Sequence, residues 1–286
     1  MKKALIVYFS QSGTNQHIAE TISAGLREGG VQAGLWNLKD GPAPALDDID
    51  LLGIGSPTYY YRPPFNVIDY VKSLPDLSGR STFVFVVHGT YRGSTGDMIR
   101  RTLTRKNARE VGYFHCRGAT FFLGYLKEGF LFSPDHPSAE EIKRAEIFGR
   151  DITARLAGKP YTRAEVDPPL QLIYRLERLL AHRTLVKQIY SRSFTVNETC
   201  RPDCDICIRQ CPVNNITRGK DGRLAWGRDC LLCLSCEMKC PEDAITSPVS
   251  WPVFKPFLIY NTKHASCDPA LDHAKVIHAK GQTKRL

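Results

Sequence analysis

Residues 3–9 read KALIVYF, an unbroken run of branched and aromatic side chains, the pattern of a central strand buried on both faces. Runs of strand length recur at VQAGLWNL (31–38), DIDLLGIG (48–55), STFVFVV (81–87) and CRGATFFL (116–123). Between and after them, helical periodicity takes over. Ile18, Ala19, Ile22 and Leu26 share one face of a helix closed by Gly29 and Gly30, and residues 138–156 read as a closing helix. Apolar strands alternating with amphipathic helices predict an α/β unit built on an open parallel sheet.

The periodicity then changes. Over residues 161–194, Leu170, Ile173, Leu176, Leu179, Leu180, Val186, Ile189 and Tyr190 recur at helical spacing, with Arg175, Arg178, Arg183 and Lys187 between them. This predicts a packed helical connector. From Phe194 a short plan occurs twice: FTV, a cysteine run, CPVNNI, then GRLAWG, a second cysteine run, CPEDAI. The tail from Trp251 opens aromatic and Pro-rich (WPVFKPFLIY) and turns polar and basic. Its first part is expected to pack over a domain and its last dozen residues to be mobile. No apolar run exceeds strand length, so no membrane-spanning helix is expected. MKKALIVYFS runs straight into a strand pattern without an apolar signal segment, which makes a cytoplasmic location the expectation.

The chemistry gathers where the strands end. After the first strand come Ser10, Gln11, Ser12, Gly13, Thr14 and Asn15, small hydroxyl and amide residues around one glycine, followed at once by a helix start. Free N–H groups and the helix dipole at such a point favour an anion, with Ser10, Ser12 and Thr14 as hydroxyl donors. An ordinary βα turn with good N-cap residues would look similar. The third strand leads into Ser56, Pro57, Thr58, Tyr59 and Tyr60, and the fourth into His88, Gly89, Thr90, Tyr91, Arg92 and Gly93. All three loops would fall on the carboxyl edge of a parallel sheet, where ligands bind at the topological switch point.

With these loops, residues 1–156 resemble the flavodoxin family. The resemblance implies a doubly wound five-stranded sheet in the order 2-1-3-4-5 and bound FMN. Ser10 to Asn15 would take the phosphate, Ser56 to Tyr60 the ribityl chain and ring, and His88 to Gly93 the other flank of the ring. Tyr59, Tyr60 and Tyr91 are then candidates to stack on the isoalloxazine. Unlike many flavodoxins, this segment is not strongly acidic.

Eight of the ten cysteines lie in two runs. The second, CLLCLSCEMKCP (230–241), has the C-x2-C-x2-C-x3-C-P spacing of bacterial ferredoxins, whose fourth cysteine serves the other cluster. The first, CRPDCDICIRQCP (200–212), has three residues rather than two between Cys200 and Cys204. The likeness implies crossed ligation of two [4Fe-4S] clusters in a small α+β domain of β-α-β-β-α-β plan. Cys200, Cys204, Cys207 and Cys240 would hold one, and Cys230, Cys233, Cys236 and Cys211 the other, with Cys200 left unbound as the alternative. Disulfides would need an oxidising compartment. Structural zinc leaves no use for the third cysteine step or the trailing prolines. The spacing of Cys200, Cys204 and Cys207 also resembles that of radical S-adenosylmethionine enzymes, yet too little chain follows for the barrel such chemistry needs. Cys116, in an apolar setting, reads as a buried inert thiol, and Cys267 has no assigned role.

The expected organisation is a flavodoxin-like domain over 1–156, a connector over 157–194, a two-cluster ferredoxin domain over 195–250 and an extension over 251–286. Taken whole, the chain resembles the fused flavodoxin-ferredoxin family of anaerobes, which implies an electron carrier serving a redox partner protein. The alternative is a reductase acting on a small oxidised substrate at the FMN face. No acid-base pair, nucleophile or nicotinamide fingerprint stands out. The formal charge of +10 falls to about +4 once two cubes and a flavin phosphate are counted. Arg100, Arg101, Arg105, Lys106 and Arg109 form a basic cluster, either a docking patch for an acidic partner or a solvated helix face. No nucleic-acid reader motif accompanies the charge, and membrane-surface attachment through the basic connector is disfavoured.

Overall fold

In the computed structural model, which describes residues 1–164 and 166–286, the chain divides into two compact units. One comprises residues 1–118 and 135–174, the other residues 119–134 and 175–286. Residues 119–134 thus leave the expected flavodoxin-like segment and join the C-terminal unit.

The first unit runs β1 (Lys3–Tyr8), α1 (Thr14–Glu28), β2 (Gln32–Asn37), β3 (Leu51–Pro57), α2 (Phe65–Ser73), β4 (Ser81–His88), α3 (Thr95–Thr104) and β5 (Arg109–Arg117). After the excursion α4 (Leu123–Lys127) and β6 (Phe130–Phe132), the chain returns as α5 (Ala139–Leu156). All five strands pair in parallel, in the order β2-β1-β3-β4-β5. The fold is the expected one. α1 and α5 cover one face of the sheet, where Ile18, Ala19, Ile22 and Leu26 meet Ile6, Phe83, Phe85, Phe148 and Ile152. Each fully buried Ile or Leu contributes roughly 1.5–3 kcal/mol. The two helices also touch backbone to backbone: a Cβ at Gly25 would lie 2.2 Å from Glu146 O, and one at Gly149 2.3 Å from Ile22 O.

The fifth strand is a correction. It spans Arg109–Arg117, ahead of the apolar CRGATFFL run, and ends as Gly118 N–H bonds His88 O at 2.9 Å. As a sheet edge it alternates: Val111, Phe114 and Cys116 enter the core, while Tyr113 and His115 lie on the other face among polar groups. Its charged and glycine residues hid it behind the more apolar segment that follows. The thiol of Cys116 is buried and held well above its ordinary pKa by that burial, as expected of an inert core group.

Beyond α5 the connector breaks into α6 (Leu172–Leu180), α7 (Arg183–Gln188) and a 3-10 turn at Tyr190–Arg192. The break falls at His182, whose Nδ1 accepts from Thr184 N–H at 3.3 Å and caps α7. Tyr174, Val186 and Tyr190 are buried, whereas Leu172, Leu176 and Leu179 face solvent, so the expected packed stripe holds only in part. The second unit continues β7 (Thr195–Val196), α8 (Ile206–Arg209), β8 (Ile216–Arg218), β9 (Leu224–Trp226), α9 (Ser235–Met238) and β10 (Ile245–Thr246). β7 pairs with β10 and β8 with β9, both antiparallel. After α10 (Lys255–Ser266), most of residues 275–286 lie in strands. β11 (His273–Ala279) and β12 (Gln282–Arg285) form a hairpin whose first strand pairs with β6, because the apolar β6 offers a free edge.

Within the basic cluster Arg101 and Arg105 are exposed, while other members are engaged. Arg100 is buried on Asp97 and Glu110 (3.2 and 2.8 Å), Lys106 donates to Leu74 O, and Arg109 donates to Ser81 Oγ at 2.7 Å.

Candidate functional site

β1, β3 and β4 lie side by side, which brings the three predicted loops together at their carboxyl ends. The loops are tied by side chains. Tyr59 OH donates to Gln11 Oε1, linking the first loop to the second. Thr58 Oγ1 lies 3.2 Å from Arg92 O and 2.8 Å from Thr95 Oγ1, and Ser94 N–H donates to Tyr61 O at 3.0 Å, linking the second to the third. Gly93 sits against the Tyr61 backbone, where a Cβ would be 2.4 Å from Tyr61 O.

In the first loop Gly13 adopts a left-handed conformation (φ 90°) and turns the chain into α1, whose first turn receives no side-chain cap. Its leading N–H groups therefore point out of the helix without an internal acceptor. Beside them, Ser10 Oγ and Asn15 Oδ1 are buried and have no hydrogen-bond partner. Ser12 Oγ and Thr14 Oγ1 are 3.3 Å apart. Buried polar atoms are ordinarily satisfied, and here the uncapped helix start and the orphaned hydroxyl suit a phosphate that would complete both. The donor set fits the phosphate of FMN.

Around the ring-flanking loops the predicted tyrosines part company. Tyr59 meets Phe9 edge-on at 6.2 Å. Tyr60 and Tyr61 have positive φ (48° and 63°), a backbone strain that is concentrated at functional loops. Tyr91 lies 5.4 Å from Tyr174, which stacks on Tyr61 at 4.7 Å. Tyr174 and Asp167 lie outside the predicted segments and no local motif announced them. Asp167, almost fully buried, accepts from Arg92 Nε (2.9 Å), Asp97 N–H (2.9 Å) and Tyr113 OH (2.7 Å), and so anchors the third loop. His88, at the end of β4, has its Nδ1 buried without a partner, and its ring lies 5.8 Å from His115. Burial first, then His115 and the Arg92 and Arg117 cations, push His88 down to about 3. Burial and Arg92 push His115 down to about 4. Both imidazoles are neutral at pH 7.

In the second unit one cysteine of the second run joins three of the first. Cys200, Cys204, Cys207 and Cys240 line one pocket, with Ile206, Leu224 and Ile245. The three-residue step after Cys200 is held over the pocket by Arg201, whose Nε is 3.5 Å from Glu242 Oε1, and Thr199 Oγ1 donates to Glu242 O at 3.1 Å. Burial raises the Cys207 thiol to about 11, and the Cys200, Cys204 and Cys240 sulfurs act in the same direction. Cys230, Cys233 and Cys211 form the other neighbourhood. Burial with Cys211 nearby lifts Cys230 to about 11, and burial with Cys230 and Cys211 lifts Cys233 to about 12. Cys236 is raised well above its ordinary value by burial, then by Cys233 and Cys230. Thiols gathered this way stay protonated until a cation compensates their charge. Among the described residues no three His, Cys, Asp or Glu side chains form a group that would hold a metal ion. The thiols of the first set line a shared pocket.

The two halves repeat down to single bonds. After Cys211 and after Cys240 the chain turns through a positive-φ residue three places on, Asn214 (51°) and Asp243 (47°). The next N–H then donates back to the sulfur, Asn215 to Cys211 at 3.1 Å and Ala244 to Cys240 at 3.3 Å. The paired CPVNNI and CPEDAI segments carried that signal in the sequence.

Comparison with known proteins bears on the first unit. Residues 5–125 match the family model described as a flavodoxin domain. A curated relative, the type A flavoprotein fprA of Rhodobacter capsulatus, is 28% identical over 171 residues, 58% of this chain and 36% of the relative. The chain thus spans about a third of that protein's length. Among solved structures, oxidised flavodoxin 1 of Bacillus cereus is 17% identical, covers 54% of this chain and 98% of its own, with a TM-score of 0.44. The rubredoxin oxygen:oxidoreductase of Desulfovibrio gigas is 16% identical over 55% of this chain and 36% of its own, with the same score. No helix among the described residues is long and apolar enough to cross a membrane. With the 2-1-3-4-5 sheet and the three loops at its carboxyl edge, the match over residues 5–125 gives the chain an N-terminal flavodoxin-like domain beside a cysteine-rich α+β region.

Proposed function

We propose that the protein is an electron carrier that binds FMN at the three loops of its first unit and two [4Fe-4S] clusters in its second, exchanging electrons with a partner redox protein. The observation that supports this reading is the pocket lined by Cys200, Cys204, Cys207 and Cys240, three sulfurs from one run and one from the other. A single tetrahedral zinc needs its ligands converging on one ion. A [4Fe-4S] cube, with iron and sulfide alternating at its corners, would take one thiolate on each of its four irons, and the pocket lined by Cys200, Cys204, Cys207 and Cys240 offers four.

When bound, FMN accepts two electrons singly and a cube carries one, so their pairing converts between two-electron and one-electron traffic. The chain's own residues supply the setting. Ser10, Ser12, Thr14 and the uncapped start of α1 hold the phosphate. The backbone N–H groups of Asn215, Leu232 and Ala244 donate to Cys211, Cys230 and Cys240 sulfurs at 3.1–3.3 Å, which stabilises thiolate charge and tunes potential. His88 and His115 stay neutral at the end of β4, beside the Arg92 and Arg117 cations.

Protein purified without oxygen is expected to carry about eight irons, eight sulfides and one flavin per chain. Colourless protein containing zinc would contradict the reading. Replacing Cys200 with serine should lower the iron content or alter the paramagnetic resonance of one reduced cluster, and unaltered spectra would remove Cys200 from the ligand set. Turnover of a small oxidant by the reduced protein without any partner would favour a reductase.

A further inference from the structure

The two halves of the cysteine region are alike in their turns but not in what lies against them. Over the turn that follows Cys240 sits the tip of the C-terminal hairpin β11–β12. Asp243 accepts from both residues of the tip: Lys280 N–H bonds Oδ2, and Gly281 N–H bonds Oδ1 at 3.2 Å. Gly281 adopts φ 68° and packs so tightly that a Cβ there would lie 2.6 Å from Cys240 O. The hairpin is anchored at a distance from the turn, with His273, Ala274 and Lys275 of β11 in register with Phe132, Leu131 and Phe130 of β6. The corresponding turn after Cys211 is braced otherwise, by Asn215, whose side chain donates to Gly227 O at 3.1 Å and accepts from Asp229 N–H at 2.7 Å. The burial follows this difference: Cys240 is buried, while its counterpart Cys211 is partly exposed.

The geometry points to the C-terminal hairpin as a clamp that shields the Cys240 turn and so sets the potential of the cluster held by Cys200, Cys204, Cys207 and Cys240 independently of the other. This rests on the cluster reading above. Lys280, Gly281 and Asp243 are positioning residues that act through the backbone that carries Cys240. Solvent exposure is one of the determinants of a cluster's potential. Because the reduced cube carries one more negative charge than the oxidised one, water admitted at this edge favours reduction.

The test is Gly281→Val in the full chain, with Gly281→Ala as the milder variant, both read by a redox titration with paramagnetic resonance detection. The side chain collides with the Cys240 backbone in either case, so the tip must lift. The expected result is unchanged iron and sulfide content, one cluster moved to a less negative potential and the other in place, with iron lost to a chelator several-fold faster. Two clusters titrating as in the parent, or both displaced equally, would overturn the clamp. Absence of iron from the parent protein would instead overturn the cluster reading itself. If the valine variant does not accumulate, the alanine variant decides by the same criteria.

Discussion

Ser10 illustrates how a single residue separates binding from folding. Its hydroxyl is buried with no partner, a state that costs free energy unless a ligand accepts from it. Ser10→Ala should therefore leave the melting temperature of the flavin-free protein unchanged or slightly raised. FMN binding should weaken by about 10- to 150-fold, the equivalent of one hydrogen bond to a charged group, about 1.5–3 kcal/mol. Titration of the apoprotein with FMN, beside a thermal melt, checks both. His88 makes a prediction in pH. Folded His88 and His115 protonate only near 3 and 4, whereas unfolded imidazoles do so near 6.5. The unfolded chain thus binds more protons between those values, and stability falls as pH drops from about 6.5 toward 3, with no contribution above. His88→Gln should flatten that decline when urea midpoints at pH 7 and pH 5 are compared, and an equal decline in parent and variant would contradict the assignment.

Among elements, α1 does most to place the site, and its position depends on α5. Gly25 and Gly149 allow the two backbones to touch, and a Cβ at Gly149 would meet Ile22 O at 2.3 Å. Gly149→Ala should then force the helices apart, at about 1–3 kcal/mol of stability as for other overpacked interiors. Because the far end of α1 carries the Gly13 turn, FMN affinity should fall with it, measurable by flavin fluorescence. α5 itself was legible in advance. Ser138 and Glu141 form a capping box, with Glu141 N–H donating to Ser138 Oγ at 3.3 Å and Ser138 N–H to Glu141 Oε2 at 2.8 Å, the local chemistry that marks a helix start. β5 was legible only in part. As an edge strand it buries one face, so its alternating pattern is weaker than the continuous run beside it.

For the molecule as a whole, the division into two units predicts separable stabilities. If the clusters hold the second unit together, removing iron with a chelator should abolish one calorimetric transition and leave that of the flavodoxin domain in place. Loss of both together would refute this independence. Four strands of the parallel sheet, the small-residue loop after the first and the cysteine spacing were readable from the chain, since each depends on neighbours a few residues apart: side-chain periodicity, a turn conformation, a helix start. Which cysteines would face each other was readable only through the likeness to ferredoxins. Asp167 anchoring the third loop, Tyr174 against Tyr61 and Tyr91, residues 119–134 joining the C-terminal unit and the hairpin over Cys240 were decided by tertiary structure alone. Each joins groups distant in sequence, such as Asp243 with Gly281 or Asp97 with Asp167. Such contacts form where packing and unsatisfied backbone or side-chain donors meet in space, and no local pattern in the chain encodes that meeting.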